Sequence, residues 1–230
     1  MQDITGEIAA LGTSLCFAFG STLFTLAGRE IGAQRVNRVR LLLAALLIAL
    51  VHWLTFGRLL PATASPDSVA WLAISGIVGL VLGDICLMQA FVLIGPRLSM
   101  LMMALAPMFS TVIAWVFLSE ALDAQTVIGI LLAVAGVILV VAERPNGGPS
   151  SVAATGRAYQ IGLLCALGGS LGQAGGTVLS RLGLAGGMEP LSASLIRLTV
   201  ASVVIWVIAF VGRRAGATIT VLRQHPRAGL

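Results

Sequence analysis

The feature that most constrains this chain is a sequence written nearly twice within strongly apolar stretches. Leu11, Gly12, Ser14, Leu15, Ala18 and Gly20 recur in identity and order as Leu167, Gly168, Ser170, Leu171, Ala174 and Gly176. One helix further on, Arg40, Leu41, Ala44 and Ile48 are answered by Arg197, Leu198, Ala201 and Ile205. Two copies of one unit must fold alike and pack on each other, which excludes most single-core architectures. With 58% hydrophobic and 10% charged residues, the unit is made of lipid-compatible sequence. An all-α, polytopic membrane protein is the expected fold class.

A bilayer core needs roughly 20 apolar residues per helix, and seven stretches qualify, at about 8–27, 39–57, 69–94, 98–118, 124–142, 159–180 and 191–212. Pro61, Pro66 and the Gly95-Pro96-Arg97 turn separate them. Glu120 and Asp123 precede the fifth stretch, where acidic side chains suit a helix N-terminus. The polar run 144–157 reads as a linker between a first repeat, 1–143, and a second, 158–230. If the first repeat holds five spans, the odd number inserts the second upside down, so the repeats are of inverted topology. The second copy then contains two spans and the start of a third. Seven of an expected ten helices are present, as in a fragment of a longer protein.

The net charge of +5 comes from fourteen arginines, with no lysine. They are spread over loops and not clustered with aromatics, so no nucleic-acid partner is expected. Loops on the N-terminal side hold Arg58 and Arg181, whereas eleven arginines, Arg40 among them, fall to the opposite side. The excess of arginine on cytoplasmic loops places the N-terminus outside. The four tryptophans fall toward expected helix ends, as interfacial anchors do. Cys16, Cys86 and Cys165 lie within apolar stretches, and no disulfide is expected.

Ionisable and polar groups inside spans are the candidates for chemistry, because hydrocarbon tolerates them only where they face protein or water. Asp84 follows a bare strip made by Gly76, Gly79 and Gly83, and is expected to bind a cationic solute group or a coupling proton. Gln89, Pro107 and Met103 are further candidates for a cavity wall: an amide, a carbonyl freed by proline, and a flexible thioether. Arg40 and Arg197 hold equivalent places in the two copies, and each is expected to tie its helix to carbonyls or a carboxylate of its own repeat, with Glu120 one candidate partner, although capping of the fifth span is the preferred reading of Glu120. Gly83, Arg40, Arg197 and Glu120 are therefore structural or gating candidates.

The segments Gln89-Ala90, Gly95-Pro96-Arg97, Ala106-Pro107, Leu118-Ser119-Glu120-Ala121-Leu122, Gly129 and Ala135-Gly136-Val137, with the Arg-Leu pairs at 40 and 197, resemble the EamA-type members of the drug/metabolite transporter superfamily. The resemblance implies ten helices in two five-helix repeats, termini in the cytoplasm of a bacterial inner-membrane protein, and carriage of small metabolites such as amino acids. Internal repeats agree with that, since many secondary carriers place their site between related halves. The partners implied are a small-molecule solute and the lipid bilayer; a homodimer is left open and no cofactor or metal is expected. A non-transporting adaptor or receptor is the alternative. Gly168-Gly169-Ser170-Leu171-Gly172 formally matches a serine-hydrolase pattern, but it lacks the strand-to-helix context and a nearby histidine, so an enzyme is not expected.

Overall fold

The computed structural model describes residues 4–59, 61, 65–142 and 156–212. All but two of the residues of the expected 144–157 linker, and everything after 212, lie outside the described residues. Among the described residues the fold is all-helical, without a strand. In chain order it comprises α1 (Ile4–Ala27), a π-helical turn (Gly28–Gly32), α2 (Ala33–Phe56), α3 (Pro66–Ser75), a π-helical stretch (Gly76–Gly83), α4 (Asp84–Met103), α5 (Ala106–Leu118), α6 (Ala124–Ala142), α7 (Arg157–Leu184) and α8 (Pro190–Val211).

Five continuous helical runs are long and apolar enough to cross a membrane: Gly6–Phe56, Pro66–Met103, Ala124–Ala142, Arg157–Leu184 and Pro190–Val211. The first is 51 residues long. At about 1.5 Å per residue it would far exceed a ~30 Å hydrocarbon core if straight. It is not straight. Gly32 (φ +93°) and, in the second run, Gly95 (φ +82°) adopt backbone angles that side-chain-bearing residues rarely reach, and each breaks its run there. After Gly95, Pro96 lacks an N–H and Ser99 Oγ bonds back to the Gly95 carbonyl at 2.8 Å, restarting the helix.

The expected span 98–118 is not one helix. It is interrupted by a tight turn at Ala104 and Leu105, three and two residues before Pro107, whose ring and missing donor prevent regular winding there. That leaves α5 as a 13-residue apolar helix. Ser65 caps α3 by accepting from the Ser68 N–H at 3.2 Å, with Pro66 at the first turn. Gly57 ends α2 in the left-handed region. Asp123 caps α6, its Oδ1 accepting from the Thr126 N–H at 3.2 Å. Glu120 does not cap; it faces Arg181 of α7 at 3.8 Å across exposed surface.

The rod formed by residues 66–94 is the axis of the bundle, and α7 lies along it in the opposite sense. The successive neighbours are Leu72 with Gly183, Gly79 with Gly176, Gly83 with Gly172, Leu87 with Gly169 and Ile94 with Gly162. Glycine is what permits this approach: a Cβ on Gly172 would stand 2.6 Å from Gly83 Cα, and one on Gly176 2.8 Å from Gly79 Cα. Serines rivet the seam. Ser75 Oγ donates to the Gly176 carbonyl at 2.6 Å and Ser170 Oγ to the Met102 carbonyl at 2.6 Å.

On the other flank α8 runs with the rod. Ala193 packs near Leu72, the Arg197 backbone lies against Gly76, and Ala201 and Ile205 cluster with Val81. Helix α2 runs against α8, since Leu41 joins the Ala201 and Ile205 cluster while His52 Nε2 meets Ser192 Oγ at 3.0 Å. The other His52 ring nitrogen meets the Arg58 carbonyl at 2.9 Å, so this fully buried imidazole ties the end of α2 to the start of α8. Helix α1 runs with the rod: Phe24 stands beside Arg40, at the level of Asp84, and Gly28 touches Val92. Helix α6 adds Val137 to a cluster with Ala90, Met102, Leu105 and Ala166 and is otherwise largely exposed.

Candidate functional site

Asp84 is the one buried carboxylate among the described residues, 3% exposed. It sits where the glycine-rich π-helical stretch passes into α4, and its Oδ2 forms an ion pair with Arg40 Nη2 of α2. The same Nη2 donates to Asn37 Oδ1 at 3.2 Å, one turn back on α2. Arg40 also lies over the Phe24 ring, 5.6 Å from its centroid, a cation–π arrangement. Its side chain keeps 26% of its surface exposed. Arg40 therefore belongs to α2 and to the bundle interior, not to the loop arginines with which it was grouped by sequence. The expectation that Glu120 partners the arginines is corrected: Arg40 holds Asp84, and Glu120 faces Arg181.

Arg197 comes from α8. Its Nη1 donates to Ser180 Oγ of α7 at 3.4 Å. Gly79 makes the space. A Cβ there would lie 3.2 Å from Gln173 Oε1 and 3.6 Å from Arg197 Nη2, so side chains of α7 and α8 meet over the bare rod. Gly76 is tighter still, because a Cβ would stand 2.6 Å from the Arg197 carbonyl oxygen. Gly83 serves the α7 contact, with Gly172 backbone atoms 3.3 Å from its missing Cβ. The glycine strip thus has two uses: it admits α7 closely and leaves room for two polar side chains over Gly79.

The remaining sequence candidates are not brought to this cluster. Gln89 is half-buried without a hydrogen bond among the described residues, and five residues place it about 140° around the helix from Asp84. Met103 packs with Phe24, Leu87, Met88 and Phe91 and lies 3.8 Å from Ser170 Oγ. Pro107 is exposed and acts on the turn before α5. Ser170 is fully buried inside α7 and donates to the Met102 and Ala166 carbonyls, which removes the geometry a serine nucleophile needs.

Asn37, Gln173, Ser180 and Trp206 were not singled out by sequence. For Asn37 a signal existed, its spacing of three from Arg40 on one helix face. Trp206 departs from the interfacial reading, since its indole Nε1 is buried and unpartnered. Arg38, also buried in α2, is engaged in interactions of its own. Among the described residues, no group of His, Cys, Asp and Glu could hold a metal ion.

No curated protein and no solved structure matches the chain. Residues 4–142, more than half of it, match the EamA-like transporter family. That family comprises membrane transporters of the drug/metabolite type, which agrees with the multi-pass helical fold and gives no support to an enzymatic reading. The chain belongs to the EamA-like transporter family.

Proposed function

We propose that the protein is a secondary transporter that moves small metabolites, amino acids or related compounds, by alternating access between two inverted repeats. In this reading residues 1–143 and 158–230 are the repeats and 144–157 joins them, in a multi-pass inner-membrane protein. The observation that carries the proposal is that Arg40 pairs with Asp84, the one buried carboxylate among the described residues, while Arg197, at the equivalent place in the second copy, reaches over Gly79 of the same helical rod. The senses of the helices support it: α1 runs with the rod and its counterpart α7 against it, while α2 runs against the rod and its counterpart α8 with it. A pseudo-two-fold axis in the membrane plane generates that relation.

Asp84 is then the group on which a solute cation or a coupling proton acts. Neutralising it releases Arg40 and frees α2 to shift against the rod, which gives the two sides of the membrane different access to the cluster. The full chain reconstituted in proteoliposomes and offered a radiolabelled amino-acid mixture should show saturable uptake above protein-free vesicles. Asp84→Asn, at equal abundance, should abolish that uptake or its dependence on pH between about 5 and 8. Folded protein that moves no solute yet captures a protein partner would support the adaptor reading; unchanged uptake by Asp84→Asn would remove Asp84 from the mechanism.

A further inference from the structure

Five buried side-chain polar atoms have no hydrogen-bond partner among the described residues: Asn37 Nδ2, Arg40 Nε, Gln173 Oε1, Arg197 Nε and Trp206 Nε1. Folded proteins leave few such atoms, and each calls for a reason. These are not scattered. Asn37 and Arg40 share a hydrogen bond beside Asp84, and Gln173 Oε1 and Arg197 Nη2 both border the space over Gly79, on the π-helical stretch that leads into Asp84. Trp206 packs against the cluster of Leu41 and Val81, which joins α2 to the same rod. Four of the five atoms are donors and one is an acceptor. Electrically the cluster has two guanidiniums and one carboxylate, so one further negative charge closes it. Arg38 is outside this count because it has interactions of its own.

We infer that this cluster binds an organic or inorganic oxyanion, with the negative group on Arg197 and an N–H or O–H of the same ligand donating to Gln173 Oε1. The inference rests on the transporter reading for its meaning and names the class of solute. Guanidinium suits it because its planar fork pairs with carboxylate or phosphate oxygens, and because it keeps its charge in a poorly hydrated site. Asp84 already neutralises Arg40, which leaves Arg197, held by a single 3.4 Å bond to Ser180, as the cation available to a ligand. Arg40, a quarter exposed beside Phe24, marks the side from which the cluster is reached.

The test is thermal unfolding of the full chain in phosphatidylcholine nanodiscs with millimolar lactate, succinate or inorganic phosphate, against lactamide, succinamide and choline. At least one oxyanion should raise the midpoint by several degrees while its neutral counterpart and choline do not. Arg197→Gln should weaken the apparent affinity at least tenfold and Gln173→Met at least threefold, the second variant serving if the first fails to fold. Equal stabilisation by lactamide or choline, or none by any oxyanion, overturns the inference. If phosphatidylserine nanodiscs abolish the response, a lipid headgroup is the occupant and the solute form falls. Stabilisation without flux in the proteoliposome assay would instead defeat the transporter reading and leave the oxyanion site standing.

Discussion

Replacing Gly172 by alanine adds one methyl group where the bundle has no room for it. The new Cβ would lie 2.6 Å from Gly83 Cα, 3.0 Å from Gly83 N and 3.1 Å from the Val78 carbonyl oxygen. All three are backbone atoms, so no rotamer change relieves the contact, and α7 must move off the rod by most of an ångström. Overpacking of this kind costs about 1–3 kcal/mol. The displacement also stretches the 2.6 Å bond from Ser75 Oγ to the Gly176 carbonyl, one turn along. An interhelical hydrogen bond in a membrane adds on the order of 0.6 kcal/mol. The sum is about 2–3 kcal/mol. Gly129→Ala in α6 is the control, because a Cβ there meets nothing within 4 Å and alanine favours the helix. Gly83→Ala should fall between the two, since its nearest neighbours would stand at 3.3 Å. Denaturant or steric-trap unfolding in bicelles reads the order directly. A Gly172→Ala protein within about 0.5 kcal/mol of Gly129→Ala would show that the α7 seam is not packed on glycine backbone.

Arg40→Gln strips the ion-pair partner from a buried carboxylate and should destabilise by about 3 kcal/mol, while the double variant with Asp84→Asn recovers at least half of that in the same unfolding assay. Ser170→Ala should retain solute uptake and lose about 1 kcal/mol, because the hydroxyl only ties α7 to the Met102 carbonyl; loss of uptake with normal abundance would give Ser170 a chemical role. Hydrogen bonds from the Thr126 side chain and backbone hold the Asp123 carboxyl below its usual value of 3.8. Its folded-state value is depressed, so its stabilising contribution is present above about pH 4 and is lost as pH falls through the lower folded value. Asp123→Ala should therefore flatten the acid limb of a stability-versus-pH curve and leave the neutral region's slope unchanged.

How much of the site could be read in advance differs residue by residue. Asp84 stood out because hydrocarbon penalises a carboxylate anywhere along a span, whatever its neighbours. Gly76, Gly79 and Gly83 stood out because a strip of missing side chains implies a close approach, and α7 makes it. Arg40 and Arg197 were paired by the repeat, yet their partners were not legible. Glu120 looked available in the sequence, but α5 ends at the surface and delivers it to Arg181. Gln173 had no repeat partner and no motif; it matters because Gly79 of another helix leaves space opposite it.

Sequence by itself determined the lipid-facing class, the approximate places of most helices, the break at Gly95-Pro96, and which side chains could not be left in hydrocarbon. Tertiary structure alone decided which faces meet: that α7 and α8 both pack on the glycine strip of one rod, that Arg40 pairs with Asp84, and that Gln173 and Arg197 border the space over Gly79. The physical reason is that helices such as these are apolar around their whole circumference. In water an amphipathic stripe announces the buried side, but between lipid and protein both sides are equally apolar, so the rotation of each helix is set by close packing and hydrogen bonds to neighbours far away in the chain.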